Sequence, residues 1–292
     1  MLELVIDPQR RSLGGFEVGR VLPHAGRRMV GPFIFFDHLG PMDLPKGLRR
    51  DADVRPHPHI GLSTVTYLFD GEVMHRDSLG VEQAIRPGEM NWMTAGRGIT
   101  HSERFERARR EGDRLHAIQS WVALPDGQEE IEPAFVHHEG DDLPVHRDGG
   151  VSVKLLAGEA YGLRAAVKIH SPLFYAHVLL QPGAEIALPN QYAERAVYVV
   201  SGSVRVADRS IAAMHMLIFG GGAAVVRADE PSVLMLLGGA PVGERFIEWN
   251  FVSSSKERIA QAKADWRAGR MKLPDLDNAE FIPAPPDAAT AV

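Results

Sequence analysis

The stretch TVTYLFDGEV (64–73) has a counterpart in RAVYVVSGSV (195–204). Tyr67 aligns with Tyr198, Leu68 with Val199, Phe69 with Val200 and Gly71 with Gly202, at a constant offset of 131 residues. Both copies run β-branched and aromatic residues into a glycine turn, the pattern of a strand entering a hairpin. Other segments, such as SVLMLLGG (232–239), are similar short runs cut by Gly, Pro, Asp or Asn. Many short strands, with one recurring unit in each half, predict an all-β chain of two tandem barrels. The segment PAFVHHEGDDLPVHRDGG (133–150) is polar, carries Gly and Pro and breaks the strand rhythm, so the domains are expected at residues 1–134 and 145–292. The one strong helix signal is SSSKERIAQAKADWRAGR (253–270). There Ser254 and Glu257 have the spacing of a capping box, and Ile259, Ala262 and Trp266 share one face. The tail FIPAPPDAATAV (281–292) is expected to be poorly ordered.

Composition removes several function classes. The chain has 292 residues, 24% of them charged, and a formal net charge of −6, so it has no overall attraction for nucleic acid or an anionic membrane surface. Cysteine is absent, which excludes disulfides and thiolate metal sites. The start, MLELVIDPQRR, lacks the basic and apolar regions of a signal peptide. The longest apolar run, AAMHMLIFGGGAAVV (212–226), is interrupted by His215 and three glycines and is too short to span a bilayer. The expectation is a cytoplasmic monomer with neither nucleic acid nor membrane as a partner.

The chemistry concentrates in two places. RPHPHIGL (55–62) holds His57 and His59, and THSE (100–103) holds His101 and Glu103. On a strand, residues two apart face the same way, so each pair can aim at one point. The prolines beside the two histidines would stiffen the strand entrance. Two such pairs on neighbouring strands would gather three imidazoles and one carboxylate around a divalent ion, with iron, nickel, copper, manganese, cobalt and zinc all chemically suitable. Four protein ligands on an octahedral ion leave two positions open for substrate and oxygen.

The repeat supplies an internal control. The same offset carries His57 to Leu188 and His59 to Asn190, so the fold does not require the pair and the site belongs to the first half. An isolated HxH is commonly just two hydrogen-bonded histidines; the HxE at the matching barrel position is what raises it to a ligand set. His75 is read as a satisfied structural histidine, with a supporting contact to the site as the alternative. His137 and His138 are read as linker. His24, His38, His116, His146, His170, His177 and His215 default to structural roles, and Phe33, Phe35 and Phe36 to core.

Three phrases, GPFIFFDHLGPM (31–42), HPHIGLSTVTYLFDGEVMHRDS (57–78) and GEMNWMTAGRGITHSE (88–103), resemble the pirin family of the cupin superfamily. The likeness extends through PVGERFIEWNFVSSS and ADWRAGRM in the second half. The resemblance implies two cupin barrels with one metal, typically iron, in the first, on His57, His59, His101 and Glu103. It also implies quercetin 2,3-dioxygenase activity on a flavonol and O2, with Glu103 as the general base. The alternative it implies is an iron-binding regulator that acts through a protein partner. One position departs from the family pattern: Ser63 stands where pirins usually carry a glutamate, which removes a charge near the site without touching the ligand set.

Overall fold

The computed structural model describes residues 1–12 and 15–286; the end of the tail, residues 287–292, lies outside the described residues. The first half contains β1 (Leu2–Ile6), β2 (Gln9–Ser12), β3 (Glu17–Leu22), β4 (Phe33–Leu44), β5 (Val54–His59), β6 (Leu62–Asp70), β7 (Val73–Asp77), β8 (Glu82–Ile85), β9 (Met90–Thr94), β10 (Ile99–Arg104), β11 (Asp113–Ala123) and β12 (Ala134–His138), with a short helix α1 (Glu106–Glu111). The second contains β13 (Val145–Asp148), β14 (Val151–Ala160), β15 (Leu163–Arg164), β16 (Leu173–Leu180), β17 (Glu185–Ala187), β18 (Glu194–Ser201), β19 (Ser203–Val206), β20 (Arg209–Ala212), β21 (Met216–Phe219), β22 (Val225–Ala228), β23 (Ser232–Gly239), β24 (Phe246–Glu248), β25 (Phe251–Ser253) and the terminal helix α2 (Lys256–Arg267).

Each half pairs a large sheet with a small one. In the first, the large sheet runs β12-β9-β6-β11-β4-β3-β2 and the small one β5-β10-β7-β8. In the second they run β1-β21-β18-β23-β16-β14-β13 and β17-β22-β19-β20. The central order β9-β6-β11-β4 recurs as β21-β18-β23-β16, which is the sequence repeat in three dimensions. His137 and His138, read as linker, instead lie on β12, paired with β9, because AFVHH keeps enough strand character to extend that sheet. At the other end, β1 crosses over to pair with β21 of the second half.

The two large sheets share one continuous core. Phe33 packs on Tyr175 with ring centroids 5.3 Å apart, and Phe36 on Tyr198 at 4.9 Å. This explains why strands such as VYVV and LMLL read as unbroken apolar runs: one face fills their own barrel and the other meets the opposite domain. Two reciprocal hydrogen bonds cross the joint, Tyr67 Oη to His177 Nδ1 and Tyr198 Oη to His38 Nδ1, each 2.8 Å. They are equivalent by the repeat. His38 and Tyr67 both stand opposite Ile118 of β11, and His177 and Tyr198 both stand opposite Met235 of β23. Without a partner, each buried phenol would cost about 1–3 kcal/mol in lost hydration.

Helix α2 buries Ile259, Ala262 and Trp266 against Ile60 and Phe251, the face expected from spacing. Its cap is one residue later than the expected box. Ser255 is the N-cap, its Oγ accepting from Arg258 N at 3.2 Å. Ser254 is unavailable because its own backbone N–H is held by the Glu129 carboxylate at 2.9 Å. No helix among the described residues is long and apolar enough to cross a membrane. Ser255→Ala should therefore lower unfolding free energy by about 1 kcal/mol, whereas Ser254→Ala should change it by less than about 0.5 kcal/mol. Denaturant titration of the two variants checks this, and equal losses would contradict the cap assignment.

Candidate metal centre

The small sheet of the first barrel brings the two histidine motifs together. In the antiparallel β5–β10 ladder His101 stands directly opposite His57, and Ile99 opposite His59. A bulge follows His101, so that Glu103 faces Val54 rather than Arg55. The imidazole rings converge, with centroids 4.4 Å apart for His57 and His101, 5.0 Å for His57 and His59, and 5.1 Å for His59 and His101. One nitrogen from each of the three lies within 4.8 Å of the others, and all three residues are buried.

Hydrogen bonds on the outer nitrogens set the tautomers. His57 Nδ1 donates to the Arg55 carbonyl at 2.9 Å and His59 Nδ1 to the Asn250 carbonyl at 3.0 Å. A carbonyl can only accept, so both rings carry the proton on Nδ1 and present a bare Nε2. His101 is governed through a relay. Asp77 Oδ2 lies 2.9 Å from His75 Nε2, and His75 Nδ1 lies 3.4 Å from His101 Nδ1. With His75 protonated on Nε2, its Nδ1 accepts from His101, whose Nε2 is buried without a hydrogen-bond partner. Desolvation lowers the His57 pKa to about 4 and holds His59 and His101 well below the usual histidine range. Three neutral imidazoles, each with an Nε2 lone pair aimed at one point, form a donor set that fits a divalent first-row ion. His75, read as structural, supports the site through His101 and stacks on Phe135 at 4.4 Å.

Glu103 stands apart from the three-histidine cluster. Its Oε1 accepts from Gln119 Nε2 at 3.0 Å, and Gln119 Oε1 in turn accepts from Thr66 Oγ1 at 2.6 Å. Burial pushes the Glu103 carboxyl up to about 7, against the opposing pull of the Gln119 hydrogen bond. Ser63 is fully buried and bonds Thr94 Oγ1 at 3.0 Å across β6 and β9, so the position that departs from the family pattern is satisfied within the barrel wall.

These groups open onto a cavity of about 630 Å³ whose lining includes His57, His59 and Glu103. One wall is aromatic, with Phe35 and Trp121 stacked at 4.0 Å and 11°. Phe35, expected in the core with Phe33 and Phe36, is buried in a core cluster with Trp121 and also lines the cavity. Sequence reading also missed Trp121, Gln119 and Thr66, whose strands are buried on both faces and give no alternation to read.

The second domain reaches across to complete the site. Asn250, Trp249 and Ile282 line the cavity, and Ile282 N donates to the carbonyl of Pro56, the residue before His57, at 2.8 Å. Behind β10, Asp277 accepts from Ser102 Oγ at 2.6 Å and from Arg104 Nε and Nη2 at 2.7 and 2.8 Å. Ser102 and Arg104 alternate with His101 and Glu103, so Asp277 clamps the back of the strand whose front carries the site. Its only sequence signal was its place in an acidic, proline-bounded segment.

Comparison with known proteins agrees. The pirin family model matches residues 15–122, and the pirin C-terminal cupin domain model matches residues 175–272. A pirin-like protein of Caulobacter vibrioides is 59% identical over 287 residues, covering 98% of this chain and 100% of that protein. This chain belongs to the pirin family. Human pirin is 32% identical over 273 residues, covering 90% of each chain. The crystal structure of quercetin 2,3-dioxygenase from Acinetobacter baumannii superposes with a TM-score of 0.89 at 31% identity, covering 98% of this chain and 96% of that one. The two barrels are therefore pirin cupin domains.

His101→Ala should leave the far-ultraviolet spectrum and thermal transition of the metal-free protein nearly unchanged while removing stoichiometric metal measured by plasma mass spectrometry. Metal retained at wild-type content would show the ligand set to be wrong. His75→Phe keeps the stack on Phe135 but ends the relay to His101; it should weaken metal affinity by about 10–100-fold in chelator competition. Unchanged affinity would make His75 purely structural.

Proposed function

We propose that this pirin is a metal-dependent dioxygenase of the quercetin 2,3-dioxygenase type, acting on a flavonol or a related enolic or phenolic compound with O2. The observation that carries the reading is the His101 Nε2 atom, buried without a partner beside His57 and His59, which line a cavity with an aromatic wall. The likeness to the Acinetobacter baumannii quercetin 2,3-dioxygenase supports it. His57, His59 and His101 are the proposed metal ligands. Glu103, outside the three-histidine cluster here, is assigned as the carboxylate that would join it as fourth ligand and act as the general base. Iron is the first choice of metal, and nickel, copper, manganese, cobalt or zinc would suit the same donors.

A divalent ion bound there would supply Lewis acidity, lowering the pKa of a hydroxyl coordinated to it. The remaining work falls to the chain. Trp121, backed by Phe35 stacked on it, gives an aromatic wall for a planar ring system with its 3-hydroxyl toward the histidines. Glu103 takes the hydroxyl proton, its acidity near neutral matching that task. Gln119, fixed by Thr66, holds one Glu103 oxygen and leaves the other for the proton. The electron-rich enolate left behind is the form that reacts with O2, and the apolar walls keep water from competing.

Protein loaded anaerobically with Fe(II), and in parallel with each of the other metals, should consume one O2 per quercetin on aeration, with loss of flavonol absorbance and release of carbon monoxide. No flavonol loss with any metal would overturn the reading. Glu103→Gln should cut the rate by about 10²–10⁴ if the residue is the base. A variant that keeps full activity would remove it from that role.

A further inference from the structure

The two tyrosine–histidine bonds across the domain joint are equivalent by the repeat, but their far ends differ. On one side His38 uses both ring nitrogens: Nδ1 meets Tyr198 Oη, and Nε2 meets His116 Nε2 at 2.7 Å. On the other side His177 Nδ1 meets Tyr67 Oη, while Nε2 is buried and has no hydrogen-bond partner. The strand register explains the difference. His116 stands opposite Asp70 in the first domain; at the equivalent register of the second, Val233 stands opposite Ser201. A valine occupies the place of the capping histidine, and it can offer no hydrogen bond.

His177 lines a cleft of about 250 Å³ between the domains, with its unpartnered Nε2 buried behind the surface. The register gathers the polar groups of its lining. Lys154 is directly opposite His177 and Arg147 directly opposite Ser152; Ser152 and Lys154 are two apart on β14 and share a face. The lining thus contains Arg147, Ser152, Lys154 and His177 with Tyr67 and apolar neighbours, and no carboxylate, in a chain whose net charge is −6. Lys154 Nζ donates to the Gly88 and Gly140 carbonyls at 3.3 and 3.1 Å, which leaves the third of its three protons free. Arg147 is exposed at the rim and has no ion-pair partner among the described residues. Asp141 is the one carboxylate felt by Lys154, and it lies outside the lining.

We propose that this interdomain cleft is a binding site for a small oxyanion, a phosphate or carboxylate group, held by His177 Nε2–H, Lys154 and Arg147. With the Tyr67 hydroxyl donating to His177 Nδ1, the ring proton sits on Nε2 and points a donor at the anion. Lysine and arginine supply charge-assisted hydrogen bonds beside it, and Ser152 a neutral one. The site is separate from the histidine cluster of the first barrel and stands whether or not the dioxygenase reading holds.

Calorimetric titration with inorganic phosphate, and separately with benzoate, at constant ionic strength tests it. Metal-loaded wild-type protein and metal-free His101→Ala should show the same saturable site of one anion per chain, which places binding away from the metal centre. Preference for phosphate or for benzoate identifies which oxyanion group the cleft takes. Arg147→Ala, at the exposed rim and safe for folding, and Lys154→Met should each weaken binding by about tenfold or more. Val233→His, which restores the cap seen on His38, should weaken it comparably with both cations intact. No saturable binding to wild type, binding lost in His101→Ala, or wild-type affinity in Arg147→Ala and Val233→His would overturn the assignment.

Discussion

The site depends on the register of one antiparallel pair. Because His101 faces His57 across the β5–β10 ladder, and because side chains two apart on a strand share a face, three imidazoles meet without any loop having to place them. A slip of one residue between the two strands would put His101 on the opposite face from His57 and His59. The register is correspondingly well fixed. Asp277 clamps the back of β10, Ile282 joins β5 at Pro56, and the Asn250 carbonyl holds His59. All three come from the second domain or the segment after it. The three histidines belong to one barrel, but their geometry is held by both.

The second barrel fills the positions of the histidine pair differently. Leu188, at the position of His57, is buried in the shared core. Arg195, at the position of Thr64, is completely buried and spends its guanidinium on the carbonyls of Pro189, Gly220 and Gly222. Such a barrel is closed with apolar packing and backbone contacts. The first barrel keeps buried polar groups instead, at a desolvation cost that lowers the pKa of its histidines and raises that of Glu103. Groups perturbed in this way, gathered at a cavity, are what an active site displays.

The parts legible in sequence were those with a period. The pairs His57/His59 and His101/Glu103 have strand spacing, the repeat at Tyr67 and Tyr198 is aligned by its glycine turn, and the buried face of α2 follows helical spacing. The aromatic wall was not legible. FIFF is apolar throughout because β4 is buried on both sides, so nothing in it distinguishes Phe35, which faces the cavity, from Phe36, which faces the other domain. Contacts made across long separations, such as Asn250 to His59 and Asp277 to Ser102, leave no local pattern. The cap of α2 moved from Ser254 to Ser255 for the same reason, since Glu129, which holds Ser254, lies far away in the chain.

The central claim is that the three histidines hold a metal that engages an enolic hydroxyl in the adjoining cavity. Its most direct test is an anaerobic titration of metal-loaded protein with quercetin, following the long-wavelength absorption band of the flavonol. The account predicts a saturable red shift, one equivalent per chain, marking the deprotonated flavonol, and no such shift with metal-free protein or metal-treated His101→Ala. The same shift with metal-free protein, or none with any metal bound, would contradict it.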